Sequence, residues 1–129
     1  MTNISRRVFS EFTGIPYSTA DCVDLLIDVQ QRLFKRDLDL PADRAAWRRH
    51  ARQLLRTHTE QVDIPQTGDL VVMKDFLQRY PGHVGTYFEL AGDGWVLHTT
   101  ERTDSVFHRV RQITNFSISI QGYFRWKIA

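Results

Sequence analysis

The chain has 129 residues, enough for one domain with a substantial hydrophobic core. Hydrophobic residues make up 42% and charged residues 25%, a globular composition that excludes a disordered or collagen-like chain. The formal net charge of +2 is too small to predict nucleic-acid binding, which needs clustered positive charge. The single cysteine, Cys22, excludes an intramolecular disulfide framework.

Two further classes are excluded by the distribution of apolar residues. No apolar run approaches the roughly 18 residues that a membrane-spanning helix needs, so no membrane span is expected. Residues 1–7 lack the apolar core of a signal peptide. The protein is therefore expected to be made in a cytoplasm, and any export would need another vehicle.

The first predicted helix follows a turn at Gly14–Tyr17. Apolar residues recur at helical spacing from Val23 to Phe34, and they predict an amphipathic helix over roughly 20–35. Ser18 and Asp21 stand three residues apart at its start, which is the spacing of a capping box.

A second helix is predicted over about 42–58, with Pro41 in its first turn. The segment is rich in Ala, Leu and Arg, which are good helix formers. Arg48, Arg52 and Arg56 recur every four residues and share one face of this helix. A solvated outer face is the favoured interpretation, and a binding stripe for an acidic partner is the alternative.

After Pro65 the apolar pattern changes to the period of two that is typical of strands. Strands are predicted at 69–73, 83–90, 95–100, 116–121 and 123–128, whereas 106–113 is ambiguous. Ala91–Gly94 has strong turn chemistry between two of these strands. Helices followed by a meander of strands predict an α+β fold, with the helices packed on an antiparallel sheet.

Cys22 is predicted to lie at the very start of the first helix. The positive end of the helix dipole lowers the pKa of a thiol there and favours the nucleophilic thiolate. The helix N–H groups would also bind a developing oxyanion. The alternative is a small buried core residue, because Cys22 falls in line with Leu26 and Val29 on the apolar face.

A thiol nucleophile needs a base, normally a histidine, and a third group that orients the base. His83 and His98 stand in adjacent predicted strands and share one face of the sheet. The expected turn would place Tyr87 opposite His98, so His83 would lie four positions away, about 13 Å along the strand. Direct contact between the two rings would then need a β-bulge or a longer, asymmetric loop. The other histidines show no signal of a site: His50 and His58, assigned to the helix surface, and His108, in the ambiguous segment.

Four short motifs occur in the order typical of one peptidase family. They are Asp21-Cys22 opening a helix, Gly68–Val72, His83–Tyr87 and Val96–His98. In this order they resemble the NlpC-type cell-wall peptidases, which are papain-like cysteine peptidases. The resemblance covers about residues 14–100 and implies a papain-like α+β fold, with one domain spanning residues 1–129.

The resemblance also implies roles for individual residues. Cys22 would be the nucleophile, His83 the general base and His98 the group that orients the base. Tyr17 and Asp21 would stand on the oxyanion or substrate-binding side. Tyr17 would be either a hydrogen-bond donor to the oxyanion or a packing residue, and Asp21 would chiefly steady the helix start. No metal and no organic cofactor is implied.

The residues after the cysteine depart from the family pattern. Family members commonly have Ser-Gly there, and this chain has Val23 and Asp24. These larger side chains would narrow the cleft or change its charge, and so alter substrate preference.

Three further segments resemble small family members encoded in bacteriophage tail modules. They are Gly14–Tyr17, Leu38–Pro41 and Gln121–Trp126. This resemblance implies a peptidoglycan stem peptide as substrate, other tail-tip proteins as partners and the virion tail as the location. The peptidase hypothesis requires a sulfur that substrate reaches.

Two other functions stay open on the sequence alone. The first is a structural tail-tip subunit with an inactive or plugged site, in which the arginine stripe and the aromatic C-terminus would contact other proteins. The second is a zinc site formed by Cys22, His83 and His98, since zinc accepts one thiolate and two imidazoles.

Overall fold

Three helices come first in the chain, and the strands of one six-stranded sheet follow. The computed structural model describes residues 3–40, 44–77 and 82–127. The elements are α1 (Asn3–Glu11), α2 (Cys22–Phe34), α3 (Arg44–His58), β1 (Thr59–Val62), β2 (Leu70–Asp75), β3 (His83–Leu90), β4 (Asp93–Thr100), β5 (Asp104–Arg109), a 3₁₀ helix (Val110–Phe116) and β6 (Ile118–Trp126). The predicted α+β class is confirmed.

The strands lie in the order β1-β6-β2-β3-β4-β5, and all neighbouring strands are antiparallel. β2 to β5 follow one another as a meander, and β6 then returns to pair between β2 and β1. β3 and β4 therefore lie inside the sheet, each with a hydrogen-bonded strand on both sides. Residues on these two strands are held by backbone pairing on both edges.

Different elements cover the two faces of the sheet. The three helices cover one face, in clusters that include Val84 and Phe88 of β3. The 3₁₀ helix covers the opposite face around Tyr87. Because side chains alternate along a strand, His83 belongs to the face of Tyr87. Within the described residues, no helix is long and apolar enough to cross a membrane.

The helix α1 and the strand β1 were not predicted. α1 is short and has few apolar residues, yet Val8 and its neighbour Phe12 are fully buried in the first helix-covered cluster. Packing of such a face, rather than helix propensity, stabilises most short helices. The polar β1 is held instead by pairing with β6.

The last strand was predicted as two and is one. β6 pairs with β2 from Ile118 to Phe124, but the register shifts so that Val72 faces Gly122 while Met73 faces Ile120. The extra residue, Gln121, reverses the alternation of side chains, and one strand therefore looks like two in the sequence.

The ambiguous segment 106–113 contains the end of β5 and the start of the 3₁₀ helix. Phe116, predicted to open a strand, ends that helix instead. Pro41 and Ala42, predicted to begin the second helix, and Ile128 lie outside the described residues.

Candidate active site

The start of α2 is set by a capping box. The Asp21 carboxylate accepts hydrogen bonds from the N–H groups of Val23 and Asp24, both at 3.0 Å. The Asp24 carboxylate accepts the N–H of Asp21 at 3.3 Å. The box is therefore one turn later than the predicted pair of Ser18 and Asp21, and Cys22 is the first helical residue, as expected.

The capping box also determines which helix N–H groups a ligand would meet. The N–H groups of Val23 and Asp24 are bound by Asp21. An oxyanion bound at this helix end would therefore use the N–H of Cys22. The Asp21 carboxylate itself is engaged with the helix backbone.

Cys22 lies at a helix start and is buried as well. Its side chain is 1% exposed and belongs to the second helix-covered cluster, with Val23, Leu26, Trp47, Leu70, Val84 and Trp126. Cys22 therefore has both the position at the helix start that the first interpretation expected and the burial that the second expected. Substrate would reach the sulfur only after covering side chains move.

Cys22 lies at the end of the sheet where β3 begins. It shares its cluster with Val84, the residue after His83. Two turns later in α2, the Gln30 amide donates to the carbonyl of Gly68 at 3.1 Å, and Gly68 is bonded to the second half of β3. α2 therefore runs along β3 with its N-terminus at the His83 end.

The rings of His83 and His98 are in direct contact. His83 Nε2 lies 2.8 Å from His98 Nδ1, and the ring planes are inclined by 76°. Both side chains are fully buried. The structure thus brings together the two histidines that the sequence selected.

The register of β3 and β4 brings these rings together without a bulge. Tyr87 pairs with Val96 rather than with His98, because the turn is centred one residue earlier than expected. The same register places Gly85 opposite His98. His83, two residues before Gly85, is then the diagonal neighbour of His98. Diagonal neighbours on one face are within reach of ring side chains. The predicted separation of four positions, and the need for a bulge, were wrong.

Gly85 lets the two strands approach closely between the histidines. A Cβ atom at this position would lie 2.7 Å from the carbonyl oxygen of Leu97 and 2.8 Å from Val96 Cγ1. Real Cβ atoms do not approach backbone oxygens so closely. The glycine is therefore required by the spacing of β3 and β4 at the histidine pair.

A third histidine, His108, lies next to this pair, and no sequence motif predicted a role for it. His98 Nε2 lies 3.0 Å from Nδ1 of His108 on β5. The ring of His108 stacks on Phe116 with centroids 3.8 Å apart and planes 9° apart. Residues 104–109 do not alternate between apolar and polar, and His108 takes the face of His98 because β5 pairs with β4.

Burial keeps the central histidine neutral. It lowers the pKa of His98 well below the usual 6.5, and the neighbouring His83, His108 and Arg102 lower it further. The Arg102 guanidinium is itself held by the buried Asp75 carboxylate at 2.8 Å. Burial also lowers the pKa of His108. A neutral His98 carries one ring N–H, so it donates to one neighbour and accepts from the other.

A cavity of about 200 Å³ opens beside His98 and His108, at one end of this line. It is lined by Leu77, His98, Thr100, Arg102, Thr103, His108, Asn115, Phe116, Ser117 and Ile118. The line of imidazoles therefore leads from the start of β3 to a cavity under the 3₁₀ helix.

The sequence model of the NlpC/P60 family matches residues 9–119, a range that contains every predicted site residue. The chain belongs to the NlpC/P60 family. Membership indicates a cysteine peptidase or amidase of the kind that acts on peptidoglycan. Neither the curated proteins nor the solved structures contain a match to the chain.

Tyr17 lies in the segment that precedes helix α2 of this NlpC/P60 protein. This segment docks on β5, where Ile15 accepts the N–H of Ser105 at 2.9 Å and donates its own N–H to the hydroxyl at 2.8 Å. The N–H of Tyr17 lies 3.4 Å from the Asp104 carboxylate. Asp104 pairs with Thr100, so Tyr17 lies at the His83 end of the sheet.

The histidines of this NlpC/P60 protein are arranged for hydrogen bonding. Two nitrogens that bind one zinc ion stand roughly 3.3 Å apart and both point at the ion. His83 and His98 instead direct their nitrogens at each other. Among the described residues, no group of three or more potential ligands is arranged to hold a metal.

Proposed function

We propose that this NlpC/P60 protein is a cysteine endopeptidase that hydrolyses peptidoglycan stem peptides. Cys22 is the nucleophile, His83 the general base and His98 the residue that orients the base. The observation that carries this proposal is the 2.8 Å contact between His83 and His98 at the end of the sheet where α2 begins with Cys22.

The contact assigns a task to each nitrogen of His83. Nε2 faces His98, so Nδ1 is the atom that takes the proton of the Cys22 thiol. The thiolate then attacks the carbonyl carbon of the stem-peptide amide, and a carbon–sulfur bond forms. The backbone N–H of Cys22 and the hydroxyl of Tyr17 donate hydrogen bonds to the oxyanion.

The tetrahedral intermediate collapses when His83 returns the proton to the leaving amine. The carbon–nitrogen bond breaks, and a thioester on Cys22 remains. Water then gives a proton to His83 and attacks the thioester, which releases a carboxylic acid and restores the thiol. While His83 is charged, its Nε2–H donates to His98, which stabilises the imidazolium and fixes the ring orientation.

The proposed place of action is the tail tip of a bacteriophage, where the enzyme opens the wall for genome delivery. The support is the resemblance of Gly14–Tyr17, Leu38–Pro41 and Gln121–Trp126 to small family members of tail modules. The first of these segments docks on β5 at the end of the sheet where β3 begins. Detection of the protein in purified virions, at the tail tip, tests this part of the proposal.

Hydrolysis of purified muropeptides, followed by chromatography and mass spectrometry, tests the activity. The wild type is expected to cleave an amide of the stem peptide, and Cys22→Ala is expected to cleave none. His83→Ala is expected to be inactive too, whereas His50→Ala on the exposed surface of α3 serves as the matched histidine control. Cleavage by Cys22→Ala at the wild-type rate would reject the proposal.

The burial of Cys22 favours a second candidate, a structural tail-tip subunit with a closed site. Arg52 and Arg56 are exposed on α3 and remain available for contacts, whereas the side chain of Arg48 lies outside the described residues. The aromatic C-terminus does not fit this role as expected, because Trp126 is 8% exposed and belongs to the core.

Alkylation of Cys22 at pH 6–7 separates the two candidates. If Cys22 is ionised and the site opens to solvent, Cys22 is expected to react with iodoacetamide in the folded protein faster than a free cysteine does. Alkylation that appears only after unfolding in urea would support the structural role. Mass spectrometry locates the label, and Cys22→Ser provides the unlabelled control.

A further inference from the structure

The third histidine on the line, His108, has no place in the reaction proposed above. We propose that His108 is a positioning residue, which accepts the Nε2–H of His98 and thereby determines that the lone pair of His83 stands on Nδ1. This inference rests on the proposed function, because it concerns the base of the same reaction.

Both ring nitrogens of His98 are engaged. Nδ1 faces His83 at 2.8 Å and Nε2 faces His108 at 3.0 Å. His98 is fully buried, so water does not compete for either nitrogen. A neutral imidazole has one N–H and one lone pair. The three rings therefore have only two self-consistent arrangements of protons.

In the first arrangement, His83 donates through Nε2–H to His98, and His98 donates through Nε2–H to His108. The lone pair of His83 is then on Nδ1, the atom that must take the thiol proton. In the second arrangement every bond is reversed, and His108 donates through Nδ1–H. His83 then carries its proton on Nδ1 and has no lone pair there. Only the first arrangement supports catalysis.

The surroundings of His108 hold its ring in the accepting position. β5 pairs with β4 so that His108 stands beside Val96, and the ring lies flat on Phe116 at the end of the 3₁₀ helix. The ring is half-buried, and it borders the cavity described above. The stacking fixes the ring plane, and with it the direction of the Nδ1 lone pair.

Protonation of His108 forces the unproductive arrangement. A charged imidazole carries N–H groups on both nitrogens and cannot accept from His98. The charged or titratable groups around it within the described residues are His98, with His83 behind it, and Arg102, which is paired with Asp75. Burial opposes a positive charge on His108 and lowers its pKa from the usual 6.5, so His108 is neutral at pH 7.

Two substitutions of His108 distinguish the effect of its hydrogen-bond acceptor from the effect of its aromatic ring. His108→Phe keeps an aromatic ring against Phe116 but removes the acceptor. His108→Asn supplies an amide oxygen near the position of Nδ1 and does not titrate. Phe116→Leu tests the stacking by itself, since it leaves the acceptor on a less restrained ring, and a smaller loss of kcat than in His108→Phe is expected. Thermal unfolding of all three variants reports whether each is folded.

Nitrogen-15 NMR of the histidine rings, recorded without substrate at pH 7.5, reads the arrangement directly. The wild type and His108→Asn are expected to carry the His98 proton on Nε2, and His108→Phe is expected to show it on Nδ1 in part or in full. In muropeptide hydrolysis, His108→Phe is expected to lower kcat about tenfold to a hundredfold at nearly constant KM. His108→Asn is expected to retain most of the activity.

The decrease of kcat/KM at low pH provides an independent measurement. The wild type is expected to lose activity with two protonations, one at the catalytic pair and one at His108. His108→Asn is expected to lose it with one. Unchanged histidine tautomers and an unchanged pH profile in His108→Phe would overturn the proposal, as would an equal loss of kcat in Phe116→Leu. A wild type that cleaves nothing but shows the expected tautomers would reject the peptidase proposal and support the arrangement of protons.

Discussion

The Nε2 atom of His83 lies 2.8 Å from the Nδ1 atom of His98, fifteen residues further along the chain. The two residues are diagonal neighbours on adjacent strands, a relation set by the two-residue turn between β3 and β4. The geometry of the candidate base is therefore a property of the central hairpin and its register. α2 contributes Cys22 from the other, helix-covered face of the sheet.

The close approach of β3 and β4 predicts a large effect of Gly85→Ala. The added Cβ would lie 2.7 Å from the Leu97 carbonyl oxygen, so the strands must separate beside the histidines. We expect the free energy of unfolding to fall by about 1–3 kcal/mol. Hydrolysis should fall further than the fraction of folded protein, because the ring contact is displaced. Urea unfolding and muropeptide assays measure the two effects.

Gly122→Ala is the control for this prediction. Its Cβ would meet only side-chain atoms of Phe124 and Gln61, at 3.0 Å or more, and these can move. A smaller loss of stability and normal activity are expected. Full hydrolysis by folded Gly85→Ala would show that the spacing of the strands does not position His83.

The features that sequence patterns predicted are those with strong periodicity. The apolar spacing from Val23 to Phe34 predicted α2, and Cys22 was placed correctly at its start. Alternation in β3 and β4 placed His83 and His98 on one face. In α2 the burial of one face selects the apolar spacing. β3 and β4 are covered on both faces, and the period of two along a strand is what places the two histidines on one of them.

The features that were missed depend on pairing between distant segments. The register at His98 changes by two positions when the turn moves by one residue, and the residues at Ala91–Gly94 fit both turns. The role of His108 depends on β5 being a strand, which the short and mixed segment 104–109 does not reveal. Local propensity carries little information on either point.

The capping box predicts different effects for two changes at one position. Asp21→Ala removes the acceptor for the N–H groups of Val23 and Asp24, so the free energy of unfolding should fall by about 0.5–2 kcal/mol. Asp21→Asn keeps an acceptor oxygen and should cost much less. Denaturant unfolding measures both, and equal losses would show that the charge rather than the cap stabilises α2.

The burial of His98 predicts a loss of stability in weak acid. Its pKa is lowered well below 6.5 in the folded protein, whereas the unfolded chain takes up the proton near 6.5. Above that pH the ring is neutral in both states and contributes no pH dependence. As the pH falls below it, only the unfolded state gains a proton, so the free energy of unfolding decreases by up to about 1.4 kcal/mol per pH unit.

A comparison of histidine variants assigns this pH dependence of stability to His98. The lowered pKa of His108 acts in the same direction, so the wild-type slope between pH 6.5 and 5 contains both rings. His98→Asn should reduce this slope, and His50→Asn on the exposed surface of α3 should not. Denaturant unfolding at several pH values gives the slopes. If His98→Asn and the wild type have the same slope, His98 takes up its proton near the same pH in the folded protein as in the unfolded chain, and burial does not keep this ring neutral in weak acid.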